Sequence, residues 1–258
     1  MKSGHPITNE GACFLLALQF LTRLPVKTDG LYTSERMAAS VRYYPLVGAL
    51  VGGLSALVFL GASAALPQPV AVLSAIAAGL LLTGAFHEDG LADTFDGIGG
   101  GLTRRKALEI MRDSRLGTYG TLALFVALAL KAAALMALTV EFTVAALIAG
   151  HSFSRLSSVL VLATSAYVRA EGTGKPVAGG ISPAGLIVAL ATGCAIAALW
   201  WTTLPPMALG LAILALVAGH GLMRAFFEPK LGGYTGDTLG AVQQASEISF
   251  YLGLASWV

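Results

Sequence analysis

The sequence predicts an all-α protein: a polytopic integral membrane helical bundle with about six or seven transmembrane helices and short interfacial helices. Hydrophobic residues make up 56% of the 258-residue chain and charged residues only 12%, whereas soluble domains carry about 25% charged residues. Several apolar runs reach the roughly 20 residues that a helix needs to cross the hydrocarbon core. These runs lack the alternation of apolar and polar residues that is typical of membrane β-barrels. We expect residues 1–258 to form a single membrane-embedded domain.

The first 44 residues contain one short apolar run, from residue 12 to residue 21. It leads into Arg23 and Pro25 without a small-residue cleavage site, which argues against a cleaved signal peptide. The run is expected to form an interfacial or half-buried helix. Residues 26–44 are polar and are expected to form a loop or a surface helix.

Six longer apolar runs predict membrane-spanning helices. They cover residues 45–66, 70–86, 119–138, 142–164, 183–204 and 206–227. Pro67 and Pro69 leave room only for a tight turn between the first two spans, which predicts an antiparallel hairpin. The polar stretch after the second span is expected to form two short helices separated by glycines 99–101, with Thr103 capping the second. A last apolar run covers residues 250–258, and the sequence leaves open whether it enters the membrane.

The distribution of basic residues predicts the orientation of the bundle. With six crossings, every Lys and Arg except Lys131 falls on or near one side of the membrane, and the positive-inside rule assigns that side to the cytoplasm. The acidic residues gather on the same side, although they contribute little to orientation. Their position therefore indicates an active site at the cytoplasmic face.

Three aspartates mark the first candidate site, within the acidic and basic segment 87–118. Asp89, Asp93 and Asp96 have the i, i+4, i+7 spacing that places them on one face of a helix. Clustered carboxylates repel one another unless a cation lies among them, and such oxygen ligands suit Mg²⁺ or Mn²⁺. The alternative is a solvated helix end. His87 is either a base or outer donor, or an ordinary hydrogen-bonded histidine.

Basic residues follow on the next helix. Arg104 and its neighbours are typical either of a lipid-headgroup anchor or of a phosphate site. Two guanidiniums flank a carboxylate and a hydroxyl in the run Arg112, Asp113, Ser114 and Arg115. That arrangement favours bidentate phosphate binding.

A glycine-rich loop in the segment 228–248 is the third candidate. It contains Thr235, Gly236 and Asp237 just before a predicted helix, where free backbone N–H groups are able to hold an anion. Asp237 is either a helix cap or a further metal ligand beside the aspartate triad. A glycine-rich loop alone is a weak signal.

Taken together, these motifs resemble the cobalamin synthase family, the adenosylcobinamide-GDP ribazoletransferases. The residues that carry the resemblance are HEDGLADTFDGIGGG at 87–101, RRKALEIMRDSRLGTYG at 104–120, GGYTGDTLGAVQQASEI at 232–248, and FLTRLPV at 20–26 followed by YYP at 43–45. The resemblance extends over essentially the whole chain.

The resemblance implies a Mg²⁺-dependent enzyme of the bacterial cytoplasmic (inner) membrane. Its substrates would be adenosylcobinamide-GDP and α-ribazole or α-ribazole 5′-phosphate, and its products adenosylcobalamin or its 5′-phosphate and GMP. Membrane lipids would surround it, no nucleic-acid partner is expected, and the oligomeric state stays open. The expected metal ligands are Asp89, Asp93, Asp96 and Asp237. Phosphate binding is assigned to Arg104, Arg112, Ser114, Arg115, Thr235 and Gly236, and catalysis to His87, Asp89, Asp93 and Asp113.

Two alternatives remain from the residues themselves. A CDP-alcohol phosphotransferase also uses aspartates at a membrane face, but its signature pairs Asp-Gly with a nearby Ala-Arg, and here Asp89-Gly90 is followed by Leu91-Ala92-Asp93. A membrane transporter is expected to carry ionisable groups near the midplane or repeated broken helices. The chain shows no clear internal repeat.

Overall fold

A computed structural model describes residues 9–170, 172 and 174–258, which fold into a helical bundle. The helices are α1 (Asn9–Leu21), α2 (Ser34–Ser40), α3 (Tyr44–Ser63), α4 (Gln68–Thr83), α5 (Phe86–Gly100), α6 (Arg104–Ile110), α7 (Thr118–Met136), α8 (Val140–Thr164), α9 (Pro183–Trp200), α10 (Pro206–Leu231) and α11 (Gly236–Ala255). Within the described residues, the single strand-like feature is one isolated bridge between Tyr167 and Tyr234. The predicted all-α class is confirmed.

Among the residues that the structure describes, five helical stretches are long and apolar enough to cross a membrane: Ser34–Ser63, which contains α3, and the helices α7, α8, α9 and α10. A sixth candidate combines α4 and α5, but these two helices are bent by 86°. Gly84 ends α4 with a φ of 65°, and Ala85 follows with a φ of 55°. Because both residues take the left-handed conformation, α5 does not continue the path of α4.

Helix α11 lies at the centre of the bundle, where it packs against α5, α7, α8 and α10. The sequence predicts a separate apolar run at 250–258, whereas the structure has one continuous helix from Gly236 to Ala255. Its polar side chains Gln243, Gln244 and Glu247 are buried. They face other helices instead of lipid, which is how a membrane bundle accommodates such residues.

Close helix packing depends on small residues along α3. A Cβ atom at Gly48 would lie 2.2 Å from the backbone oxygen of His151, and one at Gly52 would lie 2.3 Å from that of Leu147. Both contacts are to the backbone of α8. Glycine therefore allows α3 and α8 to approach more closely than any other residue would.

The predicted boundaries of the polar region agree with the structure. Helix α5 ends at Gly100 and α6 begins at Arg104, after Thr103, whose side chain accepts a hydrogen bond from the Lys106 N–H. The first apolar run forms α1, whose inner face is buried. These short helices and the start of α11 enclose the site described next.

Candidate active site

A polar cavity of about 540 Å³ lies between α1, the start of α5, the start of α11 and the loop after α8. Its charged lining consists of Arg23, Asp89, Asp93, Arg169 and Asp237. Three acidic and two basic side chains thus line one cavity. Such a space suits a ligand that carries several negative charges together with a cation.

The start of α11 brings Asp237 to the two aspartates of α5. Asp89 and Asp93 are one helical turn apart, and Asp237 lies in the first turn of α11. Gly90 makes the close approach possible, since a Cβ atom there would lie 2.6 Å from the backbone oxygen of Asp237. The structure therefore places three of the four predicted metal ligands at one cavity.

Burial and, to a smaller extent, the neighbouring carboxylates both disfavour the charged form of Asp93. Burial, followed by repulsion from Asp237 and Asp89, raises the pKa of Asp93 to about 7. A carboxyl group with such a pKa is stabilised in its charged form by a nearby cation. This cavity therefore favours a bound positive charge.

The donor set fits a Mg²⁺ ion that is shared with a substrate. Among residues 9–170, 172 and 174–258, no group of three or more His, Cys, Asp or Glu side chains is already arranged to hold a metal ion. Proteins, however, usually bind Mg²⁺ through one or two carboxylates, with waters and substrate phosphates completing its shell. Asp89, Asp93 and Asp237 supply such carboxylates, and the cavity leaves room for phosphate oxygens.

Asp96 serves a different purpose from the one predicted. One of its carboxylate oxygens accepts a hydrogen bond from the Gly117 N–H at 2.8 Å, and the other accepts one from the Gly120 N–H at 2.9 Å. These donors are the N-cap residue and a residue in the first turn of α7, where the partial positive charge of the helix favours an anion. Asp96 does not line the cavity. Its two hydrogen bonds instead join α5 to the start of α7.

The run from Arg112 to Arg115 also lies outside the cavity. Arg115 is 88% exposed and pairs with Asp113, whose Oδ1 accepts a 3.0 Å hydrogen bond from the Arg115 Nε. These hydrogen bonds lower the pKa of Asp113 to about 2, which makes it a poor base. Arg112 and Ser114 are exposed.

The remaining predicted site residues lie at several different places in the fold. The Arg104 Nε donates to the backbone oxygen of Leu231, so Arg104 closes the end of α10. His87 is buried and lies outside the cavity lining. Thr235 caps α11 through a reciprocal pair of hydrogen bonds with Thr238. Of the predicted phosphate-binding residues, only Gly236 lines the cavity.

Two arginines that the sequence analysis did not assign to the site line the cavity instead. Arg23 follows α1, and its side chain packs over Gly84, where a Cβ atom would lie 2.4 Å from its Nε. Arg169 lies in the loop after α8 and forms a 2.7 Å ion pair with Asp237. Their position was the available signal, because each follows an apolar run within a few residues, on the side predicted to be cytoplasmic.

A second polar cluster lies deeper in the bundle. The Lys131 Nζ is 3.0 Å from Glu247 Oε1 and 3.7 Å from Glu88 Oε1, and it donates to Gln244 Oε1 at 2.9 Å. His151 Nδ1 lies 3.3 Å from Glu247 Oε2. Lys131, which the sequence leaves isolated inside a span, therefore has two acidic partners.

Together, the helical bundle and the charged cavity at one end of it define a multi-pass membrane enzyme. The chain belongs to the cobalamin-5-phosphate synthase family, whose model matches residues 13–255. The resemblance found in the sequence is thereby confirmed, and the protein is a transferase.

Curated relatives match along nearly the whole chain. Proteins from Leptothrix cholodnii, Shewanella frigidimarina and Shewanella woodyi are 47%, 43% and 41% identical to it. The alignments cover 96%, 93% and 97% of this chain and 96%, 92% and 98% of the relatives. All three relatives carry the name adenosylcobinamide-GDP ribazoletransferase. No solved structure matches the chain.

Proposed function

We propose that this protein joins adenosylcobinamide-GDP to α-ribazole or α-ribazole 5′-phosphate in a Mg²⁺-dependent phosphoryl transfer that releases GMP. The observation that carries the proposal is the cavity in which Asp89, Asp93 and Asp237 face Arg23 and Arg169. The names of the relatives support the choice of substrates. Phosphoryl transfer depends mainly on positioning and on charge stabilisation, and this set of charges supplies both.

In this reaction the ribazole 3′-hydroxyl attacks the phosphorus attached to the aminopropanol arm of the corrinoid. The bond from that phosphorus to the GMP oxygen breaks, and GMP leaves with the bonding electrons. Asp89, Asp93 and Asp237 are the proposed ligands of Mg²⁺, with Mn²⁺ as a substitute. Bound there, the ion would polarise the phosphoryl group and neutralise charge on the departing GMP.

Arg23 is a proposed ligand of the pyrophosphate oxygens, since a guanidinium forms paired hydrogen bonds with phosphate. The hydroxyl proton passes to one of the cavity carboxylates in this scheme, because His87 and Asp113 lie outside the cavity. Arg112 and Arg115, on the exposed surface next to α6, are better suited to membrane headgroups or to the periphery of a large substrate.

We also propose that the cavity opens on the cytoplasmic side of the bacterial inner membrane. Its two arginines, Arg23 and Arg169, belong to the basic set that the positive-inside rule assigns to the cytoplasm. A nucleotide-activated substrate made in the cytoplasm would reach the site directly. Cysteine labelling at exposed positions such as Arg105 in intact cells and in inverted vesicles tests this orientation.

The test of the reaction is release of GMP from adenosylcobinamide-GDP by the purified, detergent-solubilised protein. Release should require both α-ribazole and Mg²⁺ and should accompany a new corrinoid product. Asp89→Ala is the matched inactive variant, and Arg105→Gln on the exposed surface is the control. If folded wild-type protein releases no GMP with any divalent metal, the CDP-alcohol phosphotransferase and transporter alternatives return.

A further inference from the structure

Arg169 occupies an unusual position, because it neutralises a residue that the proposed reaction needs as a metal ligand. Its Nη2 is 2.7 Å from Asp237 Oδ2, and the two side chains are only 6% and 14% exposed. Both line the cavity beside Asp89 and Asp93. The guanidinium therefore lies where a divalent cation would compete for the same carboxylate.

The backbone before Arg169 is fixed to the start of α11. The Tyr234 N–H donates to the Ala166 oxygen at 2.9 Å, and the Val168 N–H donates to the Tyr234 oxygen at 3.0 Å. Gly233 permits this pairing, since a Cβ atom there would lie 2.2 Å from the Ala166 oxygen. Arg169 is the first residue beyond the paired segment, so its side chain is the part that is free to change partner.

The guanidinium also has hydrogen-bonding capacity that none of the described residues uses. In the part of the chain that the structure describes, the buried Nε of Arg169 has no hydrogen-bond partner, while Nη2 forms the 2.7 Å ion pair with Asp237. Buried donors without acceptors are costly. Since this donor belongs to a side chain that lines the cavity, an anionic ligand there would satisfy it.

We propose that Arg169 exchanges partners when substrate binds, an inference that rests on the proposed function. Before substrate binds, Arg169 neutralises Asp237 and competes with the divalent cation. When the diphosphate of the substrate enters, Arg169 donates to its phosphate oxygens and leaves Asp237 free for the metal. Metal and diphosphate therefore bind synergistically, and metal alone binds weakly.

The test measures Mn²⁺ binding to the full-length protein by the electron paramagnetic resonance of free Mn²⁺. Without substrate, Arg169→Gln should bind Mn²⁺ roughly five- to tenfold more tightly than wild type, within the usual range of coupling between two ligands. With Mn²⁺ present, the same variant should bind adenosylcobinamide-GDP at least about tenfold more weakly. Arg169→Lys keeps the positive charge and should retain the weak binding of Mn²⁺ alone.

Arg105→Gln is the matched control, since it removes the same charge from an exposed arginine outside the cavity and should leave both affinities unchanged. The exchange of partners is refuted if Arg169→Gln binds Mn²⁺ alone no more tightly than wild type, whether its thermal stability is kept or lost. In that case Arg169 has only a structural role. If wild type binds no Mn²⁺ even with substrate, the proposed metal chemistry itself fails. The two failures are distinguishable, because wild type binds Mn²⁺ with substrate in the first case and does not in the second.

Discussion

Replacing Asp96 by alanine should destabilise the protein without weakening metal binding. Asp96 is 8% exposed, and its two oxygens accept hydrogen bonds from the Gly117 and Gly120 N–H groups. A hydrogen bond to a charged group contributes about 1.5 kcal/mol or more. The loss of both should lower the free energy of unfolding by about 3 kcal/mol, and Asp96→Asn, which keeps one acceptor, should cost about half as much.

Thermal unfolding in detergent measures this effect. For a chain of this size, 1 kcal/mol shifts Tm by about 2–4 °C, so Asp96→Ala should lower Tm by roughly 6–12 °C. Asp89→Ala is the matched control, because it removes the same charge from an exposed position on the same helix and should leave Tm within about 2 °C. A variant Asp96→Ala with unchanged Tm and lost Mn²⁺ affinity would refute this reasoning and return Asp96 to the metal site.

Three further predictions follow from other contacts. Asp89→Ala and Asp93→Ala should each abolish GMP release while the protein still inserts and elutes as a folded species; near-wild-type turnover in either would remove the metal assignment. Lys131→Met should lower the free energy of unfolding by about 3–5 kcal/mol, because the buried Glu247 would lose its closest basic partner. The double variant with Glu247→Gln should recover part of that loss in Tm; equal Tm values for the single and double variants would contradict this. Ala85→Gly should raise the free energy of unfolding by about 0.5–1 kcal/mol, since glycine takes the left-handed conformation without steric cost, and a lowered Tm would be inconsistent with the φ of 55°.

Local patterns predicted much of the fold. Long apolar runs fixed the approximate limits of the spanning helices, and Thr103 marked the start of α6 because capping depends only on residues three positions apart. The bend after α4 was not predicted. It depends on Ala85 in a conformation that alanine rarely takes.

The candidate site was predicted in part. The spacing of Asp89, Asp93 and Asp96 correctly indicated one helix face, but seven residues span about 10 Å along a helix. Two turns beyond Asp89, that face meets the first turn of α7 instead of the cavity. The ion pair of Arg169 with Asp237 joins residues 68 positions apart, and such pairing depends on how α8 and α11 pack.

The central position of α11 has a consequence for biogenesis. This helix leaves the ribosome after α7, and it carries Glu247, the closest acidic partner of Lys131 in α7. A charged side chain near the middle of a lipid-facing helix costs about 2.5–3.5 kcal/mol. Lys131 has Glu88 of α5 as an acidic partner beforehand, and it gains Glu247 only when α11 has been made. We expect chains truncated before Gly236 to be recognised as incomplete by membrane proteases. Pulse-chase turnover of such chains, compared with truncated Lys131→Leu chains, measures this dependence on α11.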